Sequence, residues 1–87
     1  MEKTQTVIKN ETGLHARPAS LFVKKASEFK SDIKISTGEK EVNAKSIMSV
    51  MSLGAGKGTK VSILAEGIDE KKAVLELVKF LDEEMNE

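Results

Sequence analysis

The sequence predicts an α+β fold, a two-layer open-faced sandwich in which a four-stranded antiparallel sheet carries three helices on one face. Four short segments have the alternation or the β-branched composition of strands, and three segments repeat apolar residues at helical spacing. The element order is β-α-β-β-α-β-α. Each of these elements has one apolar side, and a single sheet covered by its helices buries all of them. With 87 residues, the chain is expected to form a single domain over residues 1–87.

The first four elements follow from periodicity and turn residues. Residues 4–9 are rich in β-branched side chains and end at an Asn-Glu-Thr-Gly turn, which predicts a strand. The next segment predicts a helix with Pro18 in its first turn, and its apolar face consists of Ala19, Phe22, Val23, Ala26 and Phe29. Because a residue before proline disfavours helical backbone, we expect the chain to be still turning into this helix from His15 to Arg17. Residues 32–36 and 41–43 predict a hairpin.

The remaining elements are a short helix, a strand and a final helix. Ser46 is the predicted N-cap of the short helix and Gly54 its closing residue, and residues 55–58 are predicted to form a flexible loop. The strand has alternating apolar residues at Val61, Ile63 and Ala65. Asp69 is predicted to cap the last helix, with Ile68 packing as a hydrophobic staple on the first residue of its stripe. That stripe comprises Ala73, Val74, Leu77, Val78 and Leu81.

The composition excludes several classes of protein. The absence of cysteine excludes disulfides, thiolate zinc sites, iron–sulfur clusters and a cysteine nucleophile, and a single histidine excludes a multi-histidine metal site. We therefore expect no cofactor and no metal. Fourteen basic and fourteen acidic residues argue against direct nucleic-acid binding. No signal segment and no apolar run of membrane length is present, which predicts a cytoplasmic protein without membrane insertion.

The charges and the only histidine indicate where an anion could bind. Residues 61–87 hold eight acidic and three basic side chains, so an anion site is expected in the first two thirds. His15 lies at the start of the first predicted helix, where free N–H groups and the helix dipole attract anions, and Arg17 adds a bidentate donor. The residues alone leave two interpretations open. Either a neutral imidazole accepts a phosphoryl group at a prepared phosphate site, or His15 is an exposed loop histidine beside a solvated arginine.

Residues 12–19 (TGLHARPA) and residues 43–54 (NAKSIMSVMSLG) form two motifs that closely resemble those of one known family. This family is HPr, the histidine-containing phosphocarriers of the bacterial phosphoenolpyruvate:sugar phosphotransferase system, and the two motifs resemble its active-site motif and its regulatory-serine segment, respectively. The resemblance extends over the whole chain. It implies that His15 accepts a phosphoryl group on Nδ1 from phosphorylated enzyme I and donates it to the A component of a sugar permease. The amides of Ala16 and Arg17, with the Arg17 side chain, would hold the phosphate.

The resemblance also implies a monomer that forms a phosphohistidine intermediate and turns over no small molecule by itself. From the residues alone Ser46 is a helix cap; the resemblance adds phosphorylation by an HPr kinase/phosphorylase and carbon catabolite regulation through a transcriptional regulator. Ser49 departs from the glycine that the family usually has at that position. Partner docking is predicted at Ser20, Lys24, Lys45, Ile47, Met48 and Met51, with core packing as the alternative for the apolar members.

A pure binding module is the competing class. One form is a regulatory relative that acts through phosphorylated Ser46. The resemblance implies that the family also has a purely regulatory member, which lacks the active histidine. The presence of His15 therefore argues against a purely regulatory role for this chain. The other form is a small α/β RNA-binding domain, which predicts a basic face and stacking aromatic residues. Three phenylalanines and a net charge of zero offer little of either.

Overall fold

The computed structural model describes residues 1–84. It contains one antiparallel sheet in the order β1-β4-β2-β3, with β1 Glu2–Val7, β2 Asp32–Ser36, β3 Glu41–Asn43 and β4 Lys60–Glu66. Three helices cover one face: α1 Ala16–Ala26, α2 Ile47–Ser52 and α3 Glu70–Lys79, the last of which continues as a π-helical turn, Phe80–Glu84. The predicted open-faced sandwich is confirmed. Within the described residues no helix is long and apolar enough to cross a membrane.

The core lies between the sheet and the helices because alternate strand residues point to the same side. In β2 and β4, Ile33 lies opposite Ala65 and Ile35 opposite Ile63, and all four are buried. The helices cover them with the apolar stripes that the sequence predicted. The Phe22 ring of α1 packs against the ring of Phe80 at a centroid distance of 6.3 Å. This burial of apolar side chains is the main source of stability.

The bounds of β1 and α1 differ from the prediction, and β1 begins earlier than predicted, at Glu2. β1 ends at Val7, because Ile8 leaves the ladder and exchanges irregular hydrogen bonds with the segment before β4. α1 ends at Ala26, and Phe29 is buried from the turn that follows. His15 is still extended, as expected, but Ala16 and Arg17 already lie in α1, so the prediction was wrong for these two residues. The Ala19 N–H donates to the His15 carbonyl at 2.7 Å, and the burial of Ala19 adds to this, so together they outweigh the preference imposed by Pro18.

The start of α3 is built differently from the predicted cap and staple. Asp69 occupies the N-cap position, but its side chain makes no capping hydrogen bond with α3. It accepts hydrogen bonds from the N–H groups of Lys30 and Ser31 instead. Ile68 is 89% exposed, so the predicted staple is wrong. The Gly67 N–H donates to the Glu70 carboxylate at 3.1 Å, which secures the turn before the helix.

Candidate functional site

His15 is the N-cap residue of α1 and is exposed. Its backbone is extended, with φ −96° and ψ −169°, and its side chain makes no capping hydrogen bond. The imidazole is therefore not used to satisfy its own helix and is accessible from outside the protein. Arg17 is also exposed, and its side chain forms no hydrogen bond or ion pair within the part of the chain that the structure describes. Both predicted site residues are thus presented on the same surface turn.

The first turn of α1 offers two free backbone donors. The N–H groups of Ala16 and Arg17 lie at the N-terminus of the helix, where no intrahelical partner exists. Pro18 has no N–H, and Ala19 is the first residue whose amide is used within the helix, through its bond to the His15 carbonyl. The first turn contains no acidic residue. Two free amides and the positive end of the helix dipole therefore lie next to His15, and the exposed Arg17 side chain belongs to the same turn.

The backbone before His15 is held by the loop that precedes β4. The N–H of buried Leu14 donates to the Ala55 carbonyl at 2.8 Å. Gly13 has φ +67°, and a Cβ at this position would lie 2.3 Å from the Ala55 oxygen, so only glycine fits. The loop over residues 55–58, predicted from its glycines to be flexible, contributes a buried alanine to the site. The place of His15 thus depends on a segment distant in sequence.

An ion pair connects the same two loops at the surface. The Lys57 ammonium lies 2.8 Å from a carboxylate oxygen of Glu11. The hydrogen bond from Lys57 holds the pKa of Glu11 below its usual range, with a Coulombic contribution from the same lysine. The acidic side chain nearest to His15 in the sequence is therefore paired with a cation.

Ser46 is the N-cap of α2, as predicted. Its Oγ accepts a hydrogen bond from the Ser49 N–H at 3.3 Å, and its side chain is half-buried. Gly54 follows the C-cap residue with φ +64°, which confirms its predicted place at the end of the helix. At Ser49, where glycine is usual in the family, the helix is regular, and the Ser52 hydroxyl donates to the Ser49 carbonyl at 2.6 Å.

The residues predicted to dock partners have different surroundings. Ser20, Lys24, Ile47 and Met48 are exposed, Met48 by 80%. Met51 is half-buried and packs against the core. Lys45 is also half-buried, and its ammonium donates to the Phe29 carbonyl at 2.7 Å, so it stabilises the turn after α1. Their role in docking stays a prediction.

Leu21 is a surface residue that the sequence interpretation missed. It lies on α1 and is 39% exposed, and α1 packs against α2, which carries exposed Ile47 and Met48. The signal was available, because Leu21 falls outside the apolar stripe of its helix. It adds an exposed apolar side chain to the helix that begins at the candidate site.

A comparison with protein families matches the chain to a family that is defined by a phosphorylation site. The family model described as PTS HPr component, phosphorylation site, matches residues 2–83. The chain belongs to the HPr family. The resemblance in two motifs therefore reflects membership of this family over nearly the whole length of the chain.

Known HPr-family members match over almost their full length. The HPr-like protein Crh from Halalkalibacterium halodurans is 46% identical over 84 residues, which are 97% of this chain and 100% of that protein. The structure of HPr-C-His from Thermoanaerobacter tengcongensis has a TM-score of 0.95 and 49% identity, covering 100% of this chain and 98% of that one. The crystal structure of Crh from Bacillus subtilis, described as a dimer with a swapping domain, has a TM-score of 0.77 and 44% identity, covering 97% of each chain. The predicted monomer thus stays a prediction.

Proposed function

We propose that this protein carries phosphoryl groups in the phosphoenolpyruvate-dependent sugar phosphotransferase system, accepting them on His15. The observation that supports this best is the exposed imidazole at the N-cap of α1, which makes no capping hydrogen bond and lies next to the free amides of Ala16 and Arg17. A site that only bound phosphate would need no more than the two amides and the Arg17 guanidinium. The accessible imidazole adds a nucleophile to them.

The proposed reaction is an in-line transfer between two partners. Nδ1 of His15 attacks the phosphorus held by phosphorylated enzyme I; the new P–N bond forms while the bond from phosphorus to its donor breaks. The charge on the equatorial oxygens is then stabilised by the two amides and the Arg17 side chain. In the second transfer the A component of a sugar permease takes the phosphoryl group and His15 is regenerated. The site therefore supplies positioning and electrostatic stabilisation.

Partner docking is proposed on the surface around the two helix starts. Exposed Ile47 and Met48 provide apolar contacts, and flexible methionine side chains suit a surface that must fit several proteins. Exposed Ser20 and Lys24 lie further along α1, where the lysine can attract acidic partners.

Ser46 is proposed as a second, regulatory phosphorylation site for an HPr kinase/phosphorylase. Its hydroxyl is at the start of α2, where added negative charge is tolerated, and exposed Ile47 and Met48 follow it. The likeness to Crh, which is described as a catabolite repression protein, supports a link to carbon catabolite regulation and a transcriptional regulator. Phosphorylated Ser46 would place about two negative charges on the docking surface and so hinder the transfer to His15.

The decisive experiment combines the protein with enzyme I, Mg²⁺ and ³²P-labelled phosphoenolpyruvate. We expect one acid-labile label per chain, absent from His15→Ala. Ser46→Ala is the matched control and should still be labelled. If the wild-type protein takes no label but is phosphorylated on Ser46 by the kinase and ATP, it is a regulator and the carrier proposal is wrong. Light scattering during the assay tests the proposed monomer against a Crh-like dimer.

A further inference from the structure

Asn10 is a buried polar residue five positions before His15. The residue is only 8% exposed. Its Nδ2 donates hydrogen bonds to the Gly13 carbonyl at 2.8 Å and to the Thr12 hydroxyl at 3.3 Å. The Gly13 N–H donates back to the Asn10 carbonyl at 3.2 Å. The turn from residue 10 to residue 13 is thus closed once by the backbone and once by the amide side chain.

The other end of the same amide is not satisfied. The Oδ1 of Asn10 is buried and has no hydrogen-bond partner among residues 1–84, which the structure describes. Burial of an unpaired amide oxygen is unfavourable, and an apolar side chain would avoid it. Packing alone therefore does not account for an asparagine here. What the amide provides is the donor to Gly13.

The Gly13 carbonyl belongs to the peptide that leads to the phosphate site. On the other side of this peptide, the Leu14 N–H donates to the Ala55 carbonyl at 2.8 Å. Both polar groups of the peptide between Gly13 and Leu14 are thus paired, one by Asn10 and the other by the loop before β4. His15 follows directly and has no side-chain hydrogen bond of its own to α1. The backbone of His15 is therefore held from one side by this peptide and from the other by the hydrogen bond from the Ala19 N–H to the His15 carbonyl.

We propose that Asn10 is a positioning residue for His15. By holding the Gly13 carbonyl, it fixes the direction in which the chain reaches the N-cap, and so it fixes the imidazole relative to the free amides of Ala16 and Arg17. This inference rests on the proposed carrier function. It predicts an effect on the transfer step, because displacement of a reacting group by a fraction of an ångström lowers the rate more than it lowers partner affinity.

The test uses Asn10→Asp, which keeps the shape but replaces the Nδ2 donor with an oxygen, and Asn10→Ala, which removes the amide. We expect the maximal rate of His15 phosphorylation at saturating phosphorylated enzyme I to fall about tenfold in both variants, with KM changed less than about twofold. Ser31→Ala is the matched control. It also removes a buried polar group, but it lies beyond the far end of α1 and should lower the melting temperature without slowing transfer.

A measurement on the unphosphorylated wild-type protein keeps the inference separate from the carrier proposal. By NMR, the side-chain amide protons of Asn10 should exchange slowly with solvent, and the His15 imidazole signals should move in Asn10→Asp but not in Ser31→Ala. Absence of phosphorylation in the wild-type protein would refute the carrier function alone. The positioning role would be overturned if the Asn10 variants transferred at the wild-type rate, or if Ser31→Ala slowed transfer as well. Rapid exchange of the Asn10 amide protons in the wild-type protein would also overturn it, without any variant.

Discussion

Ser31 and Asp69 are joined by two hydrogen bonds that tie the turn after α1 to the start of α3. The Ser31 N–H donates to Oδ1 of Asp69 at 2.9 Å, and the Ser31 hydroxyl donates to the same oxygen. The Lys30 N–H donates to the second carboxylate oxygen at 2.9 Å. Every donor in this set favours the ionised carboxylate. The hydrogen bond from the Ser31 hydroxyl, followed by that from the Lys30 amide, lowers the pKa of Asp69 from 3.8 to about 2.

This linkage predicts a loss of stability in acid. A carboxyl group whose pKa is lower in the folded protein stabilises it above the unfolded pKa, and this contribution disappears as the pH falls from about 4 to about 2. In Asp69→Asn we expect lower stability at neutral pH and a flatter dependence of stability on pH across this range. Urea unfolding at several pH values measures both. An unchanged slope in Asp69→Asn would show that other carboxylates dominate the acid response.

The glycines at residues 13 and 54 allow a prediction about backbone conformation and space. Both have positive φ, but a Cβ at Gly54 meets nothing within 4 Å, whereas at Gly13 it meets the Ala55 oxygen at 2.3 Å. The free energy of unfolding of Gly54→Ala should therefore fall only by the cost of placing an alanine in left-handed backbone, about 1–2 kcal/mol. Gly13→Ala must also displace the loop before β4, so its free energy of unfolding should fall further. Urea unfolding of the pair tests this, and equal losses would contradict the close contact.

The sequence predicted the fold because each element agrees with its local signals. Apolar and polar residues alternate in the strands, and each helix has one apolar face. Ser46 before the short helix and Gly54 after it are residue types suited to those positions. The same signals identified Asp69 as an N-cap correctly but assigned it the wrong hydrogen-bond partners. Those partners are Lys30 and Ser31, almost forty residues away, and no local pattern contains them.

The sequence indicated which residues form the candidate site but not what holds them in place, and their chemical roles stay predictions. His15 and Arg17 stand out because a histidine, an arginine and a proline together begin a helix. Asn10 was interpreted as one residue of a polar turn, although asparagine side chains commonly form hydrogen bonds with the backbone of the turn that contains them. The contact with Ala55 could not be predicted, because it depends on how the loop before β4 crosses the start of α1.

The role of Ser46 divides into a structural and a regulatory part. Ser46→Ala removes the oxygen that accepts the Ser49 N–H and should lower stability by about 1 kcal/mol, without slowing phosphorylation of His15. Ser46→Asp keeps a capping oxygen but adds a charge to the proposed docking surface, so it should slow that reaction while remaining stable. Steady-state labelling with phosphoenolpyruvate and enzyme I, together with thermal melts, separates the two. Equal rates for both variants would refute coupling between the sites.

Arg17 provides the sharpest test of the phosphate site, because it makes no contact that the fold requires. It is exposed and its side chain forms no hydrogen bond or ion pair within residues 1–84, so Arg17→Ala should leave the melting temperature within a few degrees of wild type. The transfer rate should fall by roughly tenfold or more, since a charge-assisted bidentate contact to the phosphate is lost. Arg17→Lys is the matched variant: it retains the charge without the planar pair of donors, and its rate should lie between the two. Rapid-quench measurements of His15 labelling give these rates. A rate in Arg17→Ala equal to that of wild type would remove Arg17 from the site, whereas a large drop in melting temperature would assign it to the fold.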